Sequence, residues 1–221
     1  KKPQKGWLLQ NKDAKVLSES TSGGAYTAIA KYVLKQGGVV FGAALNEHNE
    51  ANHIYIESED ELWKFRNSKY VQSLIGDTYQ QAKEFLKQGR LVCFSGTPCQ
   101  MEGLVSYLRK PYDNLIIVDV VCRAVPSPKV LRKYIEYQGL IYGDDLKNLK
   151  FRDKNFYGYK YSNMSFASQK GSYHAGIDTD PWLRSFFSGI NVRPSCYACR
   201  FKKQYCVTDF TIWDCFEVYQ Y

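Results

Sequence analysis

Seven cysteines punctuate this 221-residue chain, and four of them, Cys99, Cys122, Cys196 and Cys199, stand in three blocks that could do chemistry together. The blocks are Ser95-Gly96-Thr97-Pro98-Cys99-Gln100, Asp119-Val120-Val121-Cys122-Arg123 and Arg193-Pro194-Ser195-Cys196-Tyr197-Ala198-Cys199. An iron–sulfur cluster needs several thiolates at one point, and no single loop here supplies four, so the blocks would have to meet in space. Cys99 follows a strand-like run and a Ser-Gly-Thr-Pro turn, and it opens a predicted helix. Unpaired N–H groups and the helix dipole acidify a thiol placed there, which suits a metal ligand or a nucleophile. Cys122 ends the next predicted strand, and in a parallel sheet both would lie at the edge where α/β folds bind ligands. Cys196-Tyr197-Ala198-Cys199 is a lone CxxC, which serves zinc, redox dithiols and iron–sulfur sites alike. The usual zinc pattern needs a second CxxC or a paired His motif. His48, His53 and His174 are isolated and read as surface or core residues.

The remaining thiols carry less. Cys93, inside Leu91-Val92-Cys93-Phe94, reads as an inert core residue, and Cys206 and Cys215 read as core rather than as extra ligands. An odd cysteine count argues against a disulfide framework.

Two polar segments could serve a cofactor. Ser20-Thr21-Ser22-Gly23-Gly24 at a helix start offers backbone donors and hydroxyls to a phosphate. It is not a GxGxxG fingerprint, and read alone it is an N-cap with good turn chemistry. In Ser68-Lys69-Tyr70-Val71-Gln72-Ser73, Lys69 is placed either to stabilise a reduced, anionic flavin ring or simply as a surface lysine.

The elements that must position these residues alternate through the first two-thirds of the chain. Trp7-Leu8-Leu9 and Val16-Leu17 suggest a short N-terminal hairpin. Ala25, Ala28, Ile29, Tyr32 and Val33 have helical spacing, giving a helix over 24–36 before a buried strand at 39–45. Strands follow at 53–57, 90–94 and 115–121, and helices at 59–66, 77–88, 99–109 and 128–138. This rhythm predicts an α/β fold with a mixed, partly parallel sheet flanked by helices. Beyond about residue 145, aromatic and polar residues alternate through 151–166, which predicts antiparallel hairpins. A short helix at 180–188 then leads into the cysteine loop. Residues 1–145 would form the α/β core, which the family resemblance named below makes the flavin-binding part, and 146–221 the hairpin and cysteine-loop region completing the cluster site, as parts of one compact unit.

Hydrophobic residues make up 44% of the chain, enough for a globular core, and no run approaches the length of a membrane span. The start, Lys1-Lys2-Pro3-Gln4-Lys5-Gly6, lacks the apolar run of a signal peptide, so a cytoplasmic chain with reduced thiols is expected. The end, Glu217-Val218-Tyr219-Gln220-Tyr221, has no capping or tail signal, as in a piece of a longer polypeptide. Of the net charge of +8, residues 147–205 account for all, with 11 Lys and Arg against 3 Asp and Glu. Such a patch suits nucleotide phosphates or an acidic electron carrier; it is otherwise a solvated face, and nucleic acid is not expected as a partner.

Taken in order, these blocks resemble the beta-subunit family of coenzyme F-420 hydrogenases and dehydrogenases. The matching stretches are Ser20-Thr21-Ser22-Gly23-Gly24, Gly37-Gly38-Val39-Val40-Phe41-Gly42-Ala43, Ser68-Lys69-Tyr70-Val71-Gln72-Ser73, residues 94–100 with Gly103-Leu104, Cys122 with Pro126-Ser127-Pro128, and residues 193–199 with Asp209. The resemblance implies an oxidoreductase subunit with FAD beside a 4Fe–4S cluster, passing electrons between the cluster and a hydride acceptor or substrate at the flavin. It assigns Cys99, Cys122, Cys196 and Cys199 to the cluster, and Ser22, Gly23, Gly24, Ser68, Lys69, Tyr70, Gln72 and Thr97 to the flavin. Three departures stand out. Where the family commonly has Cys-His-Gly-Val-Pro-Ser, this chain has Cys122-Arg123-Ala124-Val125-Pro126-Ser127, which removes a proton donor. Trp213-Asp214-Cys215-Phe216-Glu217 replaces a Gly-Asp-Phe-Trp-Gly pattern. The ferredoxin-like module that often begins relatives is not in this sequence, so a ferredoxin-like donor or a partner subunit must bring the electrons. Two other readings keep the same residues: a zinc-stabilised binding module, and a cofactor-free accessory protein, for example in polysaccharide biosynthesis. A thiol nucleophile at Cys99 lacks a recognisable His partner.

Overall fold

The structure, a computed structural model, describes residues 4–159, 161 and 163–215. The first three residues and the final stretch from Phe216, including the replaced Phe216-Glu217 pair, lie outside them.

Five strands form the main sheet. β1 (Val39–Leu45), β3 (Val92–Gly96), β4 (Leu115–Val120) and β8 (Phe210–Ile212) run parallel, and β2 (Ala51–Ile56) pairs antiparallel at the edge beside β1, in the order β2-β1-β3-β4-β8. The apolar runs of the inner strands β1, β3 and β4 are largely buried on both faces, as parallel strands under helices must be. On one face, Val39, Phe41, Val92, Phe94 and Ile117 pack on α3 (Thr78–Lys87) and α4 (Pro98–Leu108) through Ala82, Leu86, Met101 and Leu104. On the other, Val40, Cys93 and Val118 pack on α2 (Ala25–Lys35) through Ala30, Val33 and Leu34. The fold is thus α/β with a mixed, mainly parallel sheet.

A second, antiparallel sheet holds β5 (Lys147–Lys150), β6 (Asn163–Ser168) and β7 (Gly171–Gly176). It packs with α5 (Pro128–Tyr142) and α6 (Pro181–Phe187) around Phe151, Met164, Phe166, Trp182 and Leu183. The predicted antiparallel pairing exists, but its strands lie at 147–150, 163–168 and 171–176: residues 151–159 form no strand, and Phe151 and Arg152 are buried as loop residues.

The predicted N-terminal hairpin does not form. Asp13 caps α1 (Ala14–Glu19), its carboxylate accepting from Lys15 N at 2.9 Å and Val16 N at 3.2 Å, and that cap wins over the strand-like Val16-Leu17 pair. Trp7, Leu8 and Leu9 lie in irregular, exposed chain. Residues 59–65 form a 3-10 helix, and among the described residues no helix is long and apolar enough to cross a membrane.

Candidate functional site

Both strand-end cysteines fall where the parallel topology requires. β3 ends at Gly96 and Cys99 sits in the first turn of α4, while β4 ends at Val120 with Cys122 just beyond. The register pairs Gly96 with Asp119, so the two chain exits are neighbours at the carboxyl edge of the sheet. The CxxC loop is brought to the same edge by backbone bonds. Pro126 and Val192 form an antiparallel bridge, Arg193 N donates to Val125 O at 3.0 Å, and Ser127 N donates to Asn191 O at 3.1 Å. Cys196 follows in α7 (Pro194–Tyr197). Past the loop, Lys203 pairs with Glu102 of α4 at 2.6 Å, and Val121 N donates to Ile212 O at 3.0 Å.

The thiols feel one another. Burial pushes the Cys122 thiol up to about 12, and the charges of Cys99, Cys196 and Cys199 push in the same direction, while Lys202 opposes them. Tyr79 is also raised, to about 12, by burial and then by Cys99. Among the described residues, no three His, Cys, Asp or Glu side chains stand close enough to hold a metal ion as they are placed. The backbone segments that carry the four cysteines reach one edge of the sheet.

The other cysteines separate cleanly. Cys93 is fully buried, as expected of a core thiol, with its pKa pushed up to about 12 by burial. Cys206 and Cys215 are not core: Cys206 is partly exposed and Cys215 exposed. The loop from Lys202 to Asp209 lies over the sheet edge rather than in it, so neither hydrophobic burial nor strand packing claims Cys206.

The two polar segments meet each other. Ser68 N donates to Thr21 Oγ1 at 2.9 Å and its hydroxyl lies 3.3 Å from the same atom. Gly24 takes φ +73° as it enters α2, and a Cβ at Gly23 would lie 2.4 Å from Leu9 O, so both glycines are required by the backbone path. Ser22 Oγ lies 3.2 Å from Tyr159 OH, and Lys154 Nζ bonds to Leu17 O and Ser22 O. Lys69 is half-buried, its ammonium held by the carbonyls of Lys64 at 3.0 Å and Arg66 at 2.8 Å, and desolvation of the amine lowers its pKa to about 7. Tyr70 stacks on Phe186 with ring centroids 4.8 Å apart, and Gln72 N donates to Pro126 O at 3.1 Å. The same segment then reaches the cysteine edge, because Ser73 Oγ accepts from Gln100 Nε2 at 3.0 Å. From Ser68 to Ser73 an extended chain spans at most about 17 Å, which bounds the distance between the two halves of the site.

Several participants are not evident from the sequence. Lys154 and Arg152 come from the loop over the second sheet, and only the tertiary fold sets them beside residues 21–22 and 67. His53 is buried and bonded at both ring nitrogens. Asp119 is fully buried, and after burial itself its charge and its contact with the thiol raise the Cys206 pKa. Arg123, which stands where a His was expected, donates to Phe187 O at 2.7 Å and lies over the Phe187 ring.

Family models match nearly the whole chain. Both describe the coenzyme F420 hydrogenase/dehydrogenase beta subunit: the model of its N-terminal part covers residues 8–78, and the model of its C-terminal part covers 89–220. The chain belongs to the coenzyme F420 hydrogenase/dehydrogenase beta-subunit family. It is therefore related to subunits of oxidoreductases. Among solved structures it is similar to a chain of the F420-reducing [NiFe] hydrogenase complex from Methanosarcina barkeri, in a xenon-derivatised form. The TM-score is 0.55 and the identity 17%, over 86% of this chain and 63% of that one. That likeness is one of fold, and this chain spans less than two-thirds of its relative's length. Among curated proteins no sequence matches.

Proposed function

We propose that this chain is a flavin- and iron–sulfur-dependent oxidoreductase subunit, with Cys99, Cys122, Cys196 and Cys199 holding one 4Fe–4S cluster and FAD lying against residues 20–24 and 68–72. The observation that carries this reading is topological: the parallel β3–β4 register sets the chain exits before Cys99 and Cys122 side by side at one sheet edge, and the Pro126–Val192 bridge brings the CxxC loop to it. Four thiols of this kind are the donor set that such a cluster takes, and Cys122, which resists ionisation alone, would be held as thiolate by iron. When bound, such a cluster would supply single electrons, and the flavin would combine two of them with a proton as a hydride for a substrate or acceptor.

The remaining work belongs to the chain. Ser22, Gly23 and Gly24 offer backbone N–H groups and a hydroxyl beside the N-terminus of α2, where anions are favoured. Lys154, bonded at Ser22 O, adds positive charge suited to a diphosphate. Lys69, with a pKa near 7, is partly neutral at neutral pH and takes up a proton when an anion is set beside it. Ser68, Tyr70, Gln72 and Thr97 line the way from there to Cys99. Arg193, Arg200 and Lys202 are exposed beside the cysteine loop and form a landing for an acidic, ferredoxin-like donor or a partner subunit in a reducing cytoplasm.

Protein purified without oxygen tests this reading through iron, acid-labile sulfide, zinc and released flavin measured on one sample. Iron and sulfide in equal amounts, about four each per chain, together with bound flavin, are expected. Zinc without sulfide, or neither metal nor flavin, would refute it.

A further inference from the structure

Residues 66–69 follow the 3-10 helix and are tied down one by one. Arg66 pairs through Nη1 with Glu19, and Ser68 N–H is taken by Thr21 Oγ1 at 2.9 Å. Lys69 Nζ donates back to the carbonyls of Lys64 at 3.0 Å and Arg66 at 2.8 Å. Asn67 Nδ2 donates to Arg152 O at 3.3 Å. A carbonyl can only accept, so that bond fixes which way round the Asn67 amide stands and leaves Oδ1 over.

Three polar groups of this stretch therefore remain unused. Asn67 Oδ1 and Arg66 Nε are buried, and neither has a hydrogen-bond partner among the described residues. Lys69, as an ammonium, carries three N–H groups, and the two carbonyls take two of them. The remainder is one acceptor and two donors, drawn from residues that lie close together. Lys69 Nζ is 2.8 Å from the carbonyl of the peptide bond leading into Asn67, which puts it within about 6 Å of the Asn67 Cα. Asn67 also holds a left-handed φ of +68°, so its amide is presented by a backbone conformation that few side chains adopt.

We infer that Arg66, Asn67 and Lys69 recognise the edge of a cyclic imide (CO–NH–CO), Asn67 Oδ1 accepting its N–H and the two cations donating to its carbonyls. The set matches in kind and number. An imide offers two acceptors and one donor, whereas an adenine edge offers one of each and a phosphate offers acceptors alone. A desolvated acceptor such as Oδ1 disfavours a phosphate and rewards a ligand atom that carries a hydrogen. The identity of the imide rests on the proposed function: it is the pyrimidine ring of the flavin, held by residues 66–69 while residues 20–24 hold the diphosphate. Uracil nucleotides carry the same edge, and the experiment separates the two.

The test is equilibrium binding to the full chain, purified without oxygen and freed of flavin. The probes are FAD, FAD methylated at N3, UDP and UDP methylated at N3. The parent should bind FAD about tenfold or more tightly than its N3-methyl form, the worth of one buried hydrogen bond, and UDP should not displace FAD. Asn67→Gly removes the acceptor and keeps the backbone, because glycine takes this φ freely. It should weaken FAD about tenfold and bring the two flavins within about threefold of each other. The urea midpoint of the flavin-free protein should not move. A merely structural residue would weaken both flavins alike and leave the preference in place. Where Asn67→Gly proves unstable, Asn67→Asp decides: it tolerates the same φ, keeps an acceptor and should keep the preference. Equal binding of the two flavins by the parent, a preference that survives in Asn67→Gly, or one that is lost in Asn67→Asp overturns the inference. N3-dependent binding of UDP with none of FAD keeps the imide site and refutes the proposed function, and binding of neither refutes both.

Discussion

His53 is taken out of water between the Phe94 ring and the Ser73 hydroxyl, and its pKa falls from 6.5 to about 4. Between those values the unfolded chain binds a proton that the folded chain refuses, so stability is lost as pH falls from about 6.5 to about 4. The full loss for this one group is about 3 kcal/mol. Urea titrations across that range should show a slope in the parent that flattens in His53→Phe, and an unchanged slope would mean that the ring is not held neutral. Lys69 gives a second test at this scale. Its buried ammonium is bonded to two backbone carbonyls, and Lys69→Met should keep the fold while weakening flavin retention about tenfold or more, the worth of one charged contact. Unchanged flavin content on gel filtration would remove Lys69 from the flavin site. Some of these residues are legible in the sequence and others are not, for a definite reason. Cys99, Cys122 and the CxxC announce themselves by side-chain chemistry, whereas Asp119, Gln100 and Lys154 matter only through neighbours from distant segments.

At the scale of elements, strand ends do the positioning. The apolar runs at 39–45, 92–96 and 115–120 and the turn chemistry between them are readable from the chain, and they carry Cys99 and Cys122 to one edge. The N-terminal region misleads because Val16-Leu17 has strand-like character while the decisive signal, the Asp13 cap, acts on backbone N–H groups. Residues 151–159 mislead because their aromatic alternation has no sheet face to serve: Phe151 packs into the core, while Phe156 and Tyr157 stand exposed on a loop. A prediction belongs to the junction that starts β1. A Cβ at Gly38 would lie 2.6 Å from Leu91 O and 2.7 Å from Val33 O, both backbone atoms that cannot step aside. Gly38→Ala should therefore cost about 1–3 kcal/mol, read as a lower urea midpoint with unchanged slope. A neutral substitution would show that α2 and β3 approach less closely than described.

For the molecule as a whole, the C-terminal region returns to the sheet edge where Cys99 and Cys122 lie. β8 adds to the sheet beside β4, the bridge between Pro126 and Val192 fixes the cysteine loop, and the Lys203–Glu102 pair ties it to the helix of Cys99. Charge follows the same layout, with the chain's whole excess of +8 arising between residues 147 and 205. Association with an acidic electron donor should weaken steeply with salt, and Arg200→Glu with Lys202→Glu should slow it about tenfold at low ionic strength without altering metal content. The central claim is that four thiols from three distant blocks meet at one point. Iron and sulfide per chain, measured after anaerobic reconstitution of Cys99→Ala, Cys122→Ala, Cys196→Ala and Cys199→Ala beside Cys93→Ala and Cys206→Ala, test it most directly. The account predicts that each of the first four variants loses most of its cluster and that both controls keep theirs; a Cys122→Ala protein with a full complement, or a Cys206→Ala protein without one, would contradict it.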